Sequence, residues 1–151
     1  ERVVADVARL EWAIERAFYA ADCAPFDLQR LALLAPESQA GVRLTLNPAL
    51  ALIASYYPLY RIWAVHQKEL GPDSVESIGG ESSRVLVSRR GLNTHVEELS
   101  VAEFAFLSAL SEGLTLGEAL GRALAEDANF DLPATLMRRV QDGDIVAIAP
   151  P

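Results

Sequence analysis

Residues 98–126 are ELSVAEFAFLSALSEGLTLGEALGRALAE, and this stretch predicts two short helices joined by a tight turn. Ser100 and Thr115 are each followed three residues later by a glutamate, which is the capping-box pattern. In that pattern the hydroxyl accepts a free backbone N–H at the start of the helix. Gly113 marks the end of the first helix, because glycine adopts the left-handed conformation at little cost.

The segments on either side of these helices extend the prediction. RVLVSRR (residues 84–90) and LNTHVEEL (92–99) predict a β-hairpin that turns at Gly91. Asp131 begins a third helix, and DIVAIA (144–149) predicts a final strand. The order β-β-α-α-α-β over residues 84–151 is typical of a winged helix-turn-helix.

The first half of the chain predicts a different arrangement. Apolar residues spaced three and four apart over residues 2–21 indicate an amphipathic helix. Residues 42–57 predict a hairpin or a strand-turn-strand unit around Asn47-Pro48, and a further helix follows. The predicted fold is therefore α+β: a helical and β-hairpin part (1–67), a linker or long loop (68–83) rich in Gly and Ser, and a winged-helix part (84–151).

Composition excludes several classes of function. The chain has 151 residues, 51% of them hydrophobic, and a formal net charge of −8. An acidic chain of this kind is a poor partner for nucleic-acid phosphates or anionic lipid. The sequence contains neither a membrane-spanning apolar run nor a signal peptide, and the single cysteine favours the cytoplasm.

No catalytic or metal-binding pattern is present in the sequence. One cysteine and two histidines lack the spacing of a metal site, and no nucleophile elbow, phosphate-binding loop or dinucleotide fingerprint occurs. We therefore expect no enzyme activity, no cofactor and no bound metal.

Two functions of the winged-helix part remain open at the sequence level. A DNA-binding transcriptional regulator would use the third helix, which offers Arg138 and Arg139. Residues 84–151 contain six arginines against ten acidic residues, which disfavours this reading. Alternatively, an exposed sheet edge accepts an extended peptide as an added strand, which requires no positive charge.

The second half of the chain resembles the PqqD-like precursor-recognition elements of ribosomal peptide biosynthesis. More closely, the whole chain is similar to the C-terminal region of HvfC/BufC-type partner proteins of multinuclear non-haem iron oxidative enzymes. The resemblance rests on ADVARLEWAIERAFYAAD, VRLTLNPALALIASYYPLYRIW and RVLVSRRGLNTHVEELSVAEFAFLSAL.

The resemblance implies a non-catalytic adaptor with two partners. It would bind the leader of a cysteine-containing precursor peptide and present the core cysteines to the iron enzyme. The modified cysteines would become copper-binding groups, which implies a role in copper homeostasis. It also implies a preceding helical domain, since the chain starts at Glu1. The identity of the peptide, the modification and the oligomeric state stay open.

Two sets of residues are predicted to make these contacts. For peptide binding we expect strand addition along 84–90 or 92–99, with helix 132–141 beneath it; the residues are Val85, Val87, Arg89, Arg90, Leu136 and Arg139. For the enzyme or the preceding domain we expect large aromatic residues and one arginine, although ordinary core packing is the alternative; these are Trp12, Arg16, Tyr19, Tyr57 and Trp63.

Overall fold

A computed structural model of the chain describes residues 2–24, 26–67 and 82–150 and confirms the α+β class. The helices are α1 (Arg2–Tyr19), α2 (Gln29–Ala32), α3 (Pro36–Gln39), α4 (Leu59–Gln67), α5 (Val101–Ser111), α6 (Leu116–Glu126) and α7 (Leu132–Gln141). The strands are β1 (Arg43–Leu46), β2 (Ala51–Ser55), β3 (Ser83–Arg90), β4 (Asn93–Glu98) and β5 (Ile145–Ala149).

Two antiparallel sheets connect distant parts of the chain. The larger sheet has the order β2-β3-β4, so that β3 is its central strand. The smaller sheet pairs β1 with β5. The strand-turn-strand unit around Asn47-Pro48 is confirmed, but the predicted hairpin between its strands is wrong, because β1 and β2 enter different sheets.

The large sheet is covered on both faces. Val85 and Val87 of β3 pack with Leu10 and Ala17 of α1 in one core cluster. Leu86, on the opposite face, belongs to a second cluster built mainly from α5 and α6. Since side chains alternate across a strand, a run of consecutive buried residues requires a cover on each face. The architecture is therefore three layers, with α1 and α4 on one side and the C-terminal helices on the other.

The turn between α5 and α6 forms as the sequence predicts. The Ser100 and Thr115 hydroxyls accept the backbone N–H groups of the residues three positions on, at 3.2 and 3.3 Å. Gly113 has φ +84°, and the N–H groups of Gly113 and Leu114 close the end of α5 on the carbonyls of Leu110 and Ala109. Glu103 does not return to its cap, because its carboxylate binds arginines of α7 instead.

The two parts predicted on either side of residues 68–83 do not pack as separate units. The order β-β-α-α-α-β over 84–149 is confirmed, but β5 pairs with β1, and β3 pairs with β2 of the first half. The two predicted parts consequently share both sheets. Of the predicted linker, residues 68–81 lie outside the described residues, and Ser83 already belongs to β3.

Two glycines of α6 provide a matched test of this packing. An added Cβ at Gly121 meets nothing within 4 Å, whereas at Gly117 it would lie 3.1 Å from the Ala40 carbonyl oxygen. We expect Gly121→Ala to raise the free energy of unfolding by about 0.5–1 kcal/mol, through helix propensity alone. For Gly117→Ala we expect no such increase in the free energy of unfolding, because the added Cβ would crowd the Ala40 carbonyl oxygen. Urea denaturation measures both variants, and an equal gain for the two would contradict the close approach of α6 to Ala40.

Candidate functional site

The outer edge of β4 is the feature of the sheet most suited to binding. The N–H of Leu99 donates to the carbonyl of Arg84 at 2.8 Å, in the register that pairs Val85 with Glu98. In an antiparallel pair, hydrogen-bonded and non-hydrogen-bonded positions alternate. The backbone groups of Thr94, Val96 and Glu98 therefore point away from β3. No strand among the described residues pairs with this side of β4.

Strand β2, at the opposite edge of the sheet, offers a shorter row. The same alternation directs the backbone groups of Leu52 and Ala54 outward. The N–H of Leu50, the next outward position, already donates to the Asn47 carbonyl at 2.9 Å. A hollow of about 620 Å³ between β1, β2 and the end of α5 adjoins this edge. It is the larger hollow, but β4 has the longer row of outward-pointing groups.

A largely apolar cavity of about 360 Å³ lies beside the outer edge of β4. Helix α1 contributes Val7, Glu11 and Ile14, helix α4 contributes Ile62 and Trp63, and β4 contributes Thr94 and Val96. An unpaired strand edge with an apolar cavity next to it combines backbone hydrogen-bonding groups with a site for a side chain. We call this combination the β4 groove.

The charged groups at the β4 groove are acidic. Glu11 is the charged residue among those that line its cavity, and the exposed Glu98 lies at the end of the outward row. Both belong to the face of the sheet that α1 covers, since Glu98 pairs with Val85. An extended segment carrying positive charge is thus the better electrostatic match.

The opposite face of β4 is occupied by a buried ion cluster. Arg139 of α7 is 1% exposed and donates to Glu103 at 2.8 Å and to Asp144 at 3.0 Å. It also forms an ion pair with Glu97 of β4, whose other oxygen lies 3.3 Å from His95. These contacts join β4, α5, α7 and the turn before β5.

Burial and charge act in opposite directions on the pKa values in this cluster. Burial would raise the pKa of Glu97, but the charge and hydrogen bond of Arg139 outweigh it, so that the pKa is lowered. For Asp144 burial prevails over Arg139, and the pKa is raised. Burial would lower the pKa of Arg139, yet hydrogen bonds and charges of Asp144 and Glu103 raise it. Arg139 is thus the positive charge that the carboxylates of this cluster share.

All six side chains predicted to bind peptide are engaged within the protein. Val85, Val87 and Leu136 are buried in the two core clusters. Arg139 is the centre of the ion cluster. Strand addition along 84–90 is wrong, because β3 already has a partner strand on each side.

The two arginines at the hairpin tip also have internal partners. Arg89 donates to the carbonyls of Ala20 and Gly91. Arg90 forms an ion pair with Asp142 at 2.9 Å. Of the predicted site, only the stretch 92–99 retains an open edge.

The residues predicted for an interface divide into two groups. Trp12 is 59% exposed and Tyr19 76%, and the Arg16 guanidinium lies 4.9 Å from the centre of the Trp12 ring. These three form an exposed aromatic face of α1, so core packing is wrong for Trp12 and Tyr19, whereas Trp63 packs against a core cluster. Tyr57 and Trp63 are half-buried, and Trp63 lines the β4 groove instead of the α1 face.

The sequence predicts strand addition along 84–90 or 92–99 and an interface role for Trp63, but it does not predict the cavity that Val7, Glu11 and Ile14 line beside them, and periodicity does not reveal which sheet edge is open. The alternation Thr94, Val96, Glu98 was visible in the sequence and placed these residues on one face of a strand. Which of β3 and β4 lay at the edge depended on β2, a strand about 30 residues earlier.

Two further properties of the described residues concern membranes and metals. No helix in the described ranges is long and apolar enough to cross a bilayer. Over the same ranges, no group of three or more His, Cys, Asp or Glu side chains is arranged to hold a metal ion.

Comparison with known proteins leaves the family open. No protein-family model matches the chain, and the searches of curated proteins and of solved structures find no match either.

The ion cluster predicts unequal effects for two neighbouring arginines. Arg139→Met leaves three carboxylates without their shared cation, and we expect a loss of about 3–5 kcal/mol in the free energy of unfolding at pH 7. Arg138 is 54% exposed and contacts only Glu103 of this cluster, so Arg138→Met is expected to cost less than about 1 kcal/mol. Urea denaturation of both variants measures the difference, and equal losses would contradict a buried cluster centred on Arg139.

The same variants predict a change with pH. The lowered pKa of Glu97 stabilises the wild type above the ordinary glutamate pKa, and this contribution is lost as the pH falls through the lowered value. The raised pKa of Asp144 acts oppositely, since its contribution is present at low pH and lost as the pH rises through the raised value. In Arg139→Met the main opposition to burial is lost, although His95 still lowers the pKa of Glu97 and Arg90 that of Asp144. Both carboxyls therefore protonate more readily than in wild type, so the deficit of the variant shrinks between pH 7 and about pH 4.5. A deficit that grows on acidification would refute the assignment.

Proposed function

We propose that the chain is a non-catalytic adaptor that binds an extended peptide segment as an additional strand along β4. The observation that carries this proposal is the β4 groove, where three residues point outward from an edge of β4 that pairs with no other strand among the described residues, next to an apolar cavity. Main-chain hydrogen bonds would supply affinity, and the cavity would select a side chain. Neither requires a catalytic residue or a cofactor.

The peptide class follows from the family resemblance. The segment bound is, on this proposal, the leader of a ribosomally made, cysteine-containing precursor peptide, and a multinuclear non-haem iron oxidative enzyme modifies the core cysteines. The exposed aromatic face of α1 is the proposed contact for that enzyme, since Trp12 and Tyr19 present large aromatic surface to solvent. The single cysteine supports a cytoplasmic setting.

We interpret the segment from β3 to β5 as a winged-helix-like unit. Its last strand, β5, pairs with β1 and not with the β3-β4 hairpin. Helix α7 contributes to peptide binding indirectly on this interpretation, because Arg139 holds Glu97 and thereby orients β4. The DNA-binding alternative requires Arg138 and Arg139 to reach bases or phosphates. Arg139 is buried against three carboxylates, so the proposal of a peptide partner is better supported.

Proline substitution tests strand addition at the edge itself. Thr94→Pro removes an outward N–H, which costs no bond to β3, and proline is tolerated at such edge positions. We expect the variant to fold and to bind a fluorescein-labelled precursor peptide at least about tenfold more weakly in a polarisation titration, with and without the iron enzyme.

Ala54→Pro is the matched control. It removes an outward N–H from β2 at the opposite edge and is expected to leave peptide binding unchanged. Thermal denaturation by circular dichroism checks that both variants fold. If only Ala54→Pro loses binding, the peptide binds along β2 and the proposed site at β4 is refuted. If the folded wild type does not bind the peptide, the peptide-binding function is rejected.

A further inference from the structure

The β4 groove specifies which peptide it accepts. We infer that it selects an antiparallel segment with a large apolar residue, preferably phenylalanine, opposite Val96 and a lysine or arginine two positions earlier, opposite Glu98. This inference rests on the proposed function, because it names the sequence class that strand addition along β4 would recognise.

The register follows from the backbone. Thr94, Val96 and Glu98 direct their N–H and C=O groups outward, so the residues of an added strand that pair with them form hydrogen-bonded pairs. Side chains of directly opposed residues lie next to each other on the same face of a sheet. The three peptide residues opposite Thr94, Val96 and Glu98 therefore project onto the face covered by α1 and α4.

The cavity determines the central residue. Val96 lines it together with Val7 and Ile14 of α1 and Trp63 of α4. Its volume of about 360 Å³ accommodates a large apolar side chain, and Trp63 provides an aromatic surface for ring packing. A polar side chain at this position would lose its hydration without a full set of partners.

Charge determines the peptide residue two positions before the apolar residue. In an antiparallel strand, the residue opposite Glu98 precedes the residue opposite Val96 by two positions. Opposite charges directly across a pair of strands stabilise it, and like charges destabilise it. Glu11 adds negative charge at the cavity, and Arg89 and Arg90 are neutralised by Asp22 and Asp142. The groove therefore favours a basic segment.

A charge-swap experiment on the full chain tests the register. The probes are short fluorescein-labelled peptides of threonine and serine with a central phenylalanine and, two positions earlier, either lysine or glutamate. Wild type is expected to bind the lysine peptide about fivefold or more tightly than the glutamate peptide at low salt, and Glu98→Lys to reverse this preference. The preference is expected to decline with added salt.

The cavity is tested separately. Replacing the central phenylalanine by alanine is expected to weaken binding at least about tenfold. Val7→Trp, which fills the cavity, is expected to weaken binding of the phenylalanine peptide similarly. Val4→Trp is the control, because Val4 is exposed on the same helix and does not line the cavity.

The outcomes distinguish a failure of the proposed specificity from a failure of the proposed peptide-binding function. If every peptide binds wild type equally and Thr94→Pro abolishes that binding, strand addition stands and the specificity is refuted. If a peptide with lysine two positions after the phenylalanine binds more tightly than one with lysine two positions before it, the antiparallel register is refuted. If no designed or natural peptide binds, both the specificity and the peptide-binding function are rejected.

Discussion

Strand β3 is the element on which the remaining structure depends, because it is hydrogen-bonded along both edges and buried on both faces. Val85, Leu86 and Val87 are fully buried in succession. A central strand of this kind requires a partner on each side and a helical layer above and below. Strands β2 and β4 supply the edges, α1 and α4 cover one face, and the C-terminal helices cover the other.

The position of β3 also determines which surface is left for binding. Since β3 is enclosed, the backbone groups that a peptide needs are found on β4. The two faces of β4 then differ in character. One face adjoins an apolar cavity, and the other is occupied by the ion cluster of Glu97 with Arg139. The desolvation of its charges offsets much of their attraction, whereas removal of one partner leaves the others buried and unpaired.

Four arginines of the hairpin and of α7 have carboxylate partners within the protein. Arg89, Arg90, Arg138 and Arg139 each form an ion pair with a carboxylate of the chain. The charged residues identified at the β4 groove, Glu11 and Glu98, are acidic. The acidic net charge and the internal pairing of these four arginines support the proposal of a peptide partner over a phosphate backbone, because the main chain of a peptide needs hydrogen-bonding partners and no cations.

The sequence by itself determined the local elements: helix caps at Ser100, Thr115 and Asp131, the glycine stop at Gly113, and the apolar stripe of α1. These depend on residues three or four apart, so a single stretch of chain contains the whole signal. Only the tertiary structure decided that β5 pairs with β1, that β2 encloses β3, and that Arg139 is buried. Those outcomes depend on residues tens of positions apart, whose competition for the same partners cannot be resolved from periodicity, and they decide which strand edge remains open.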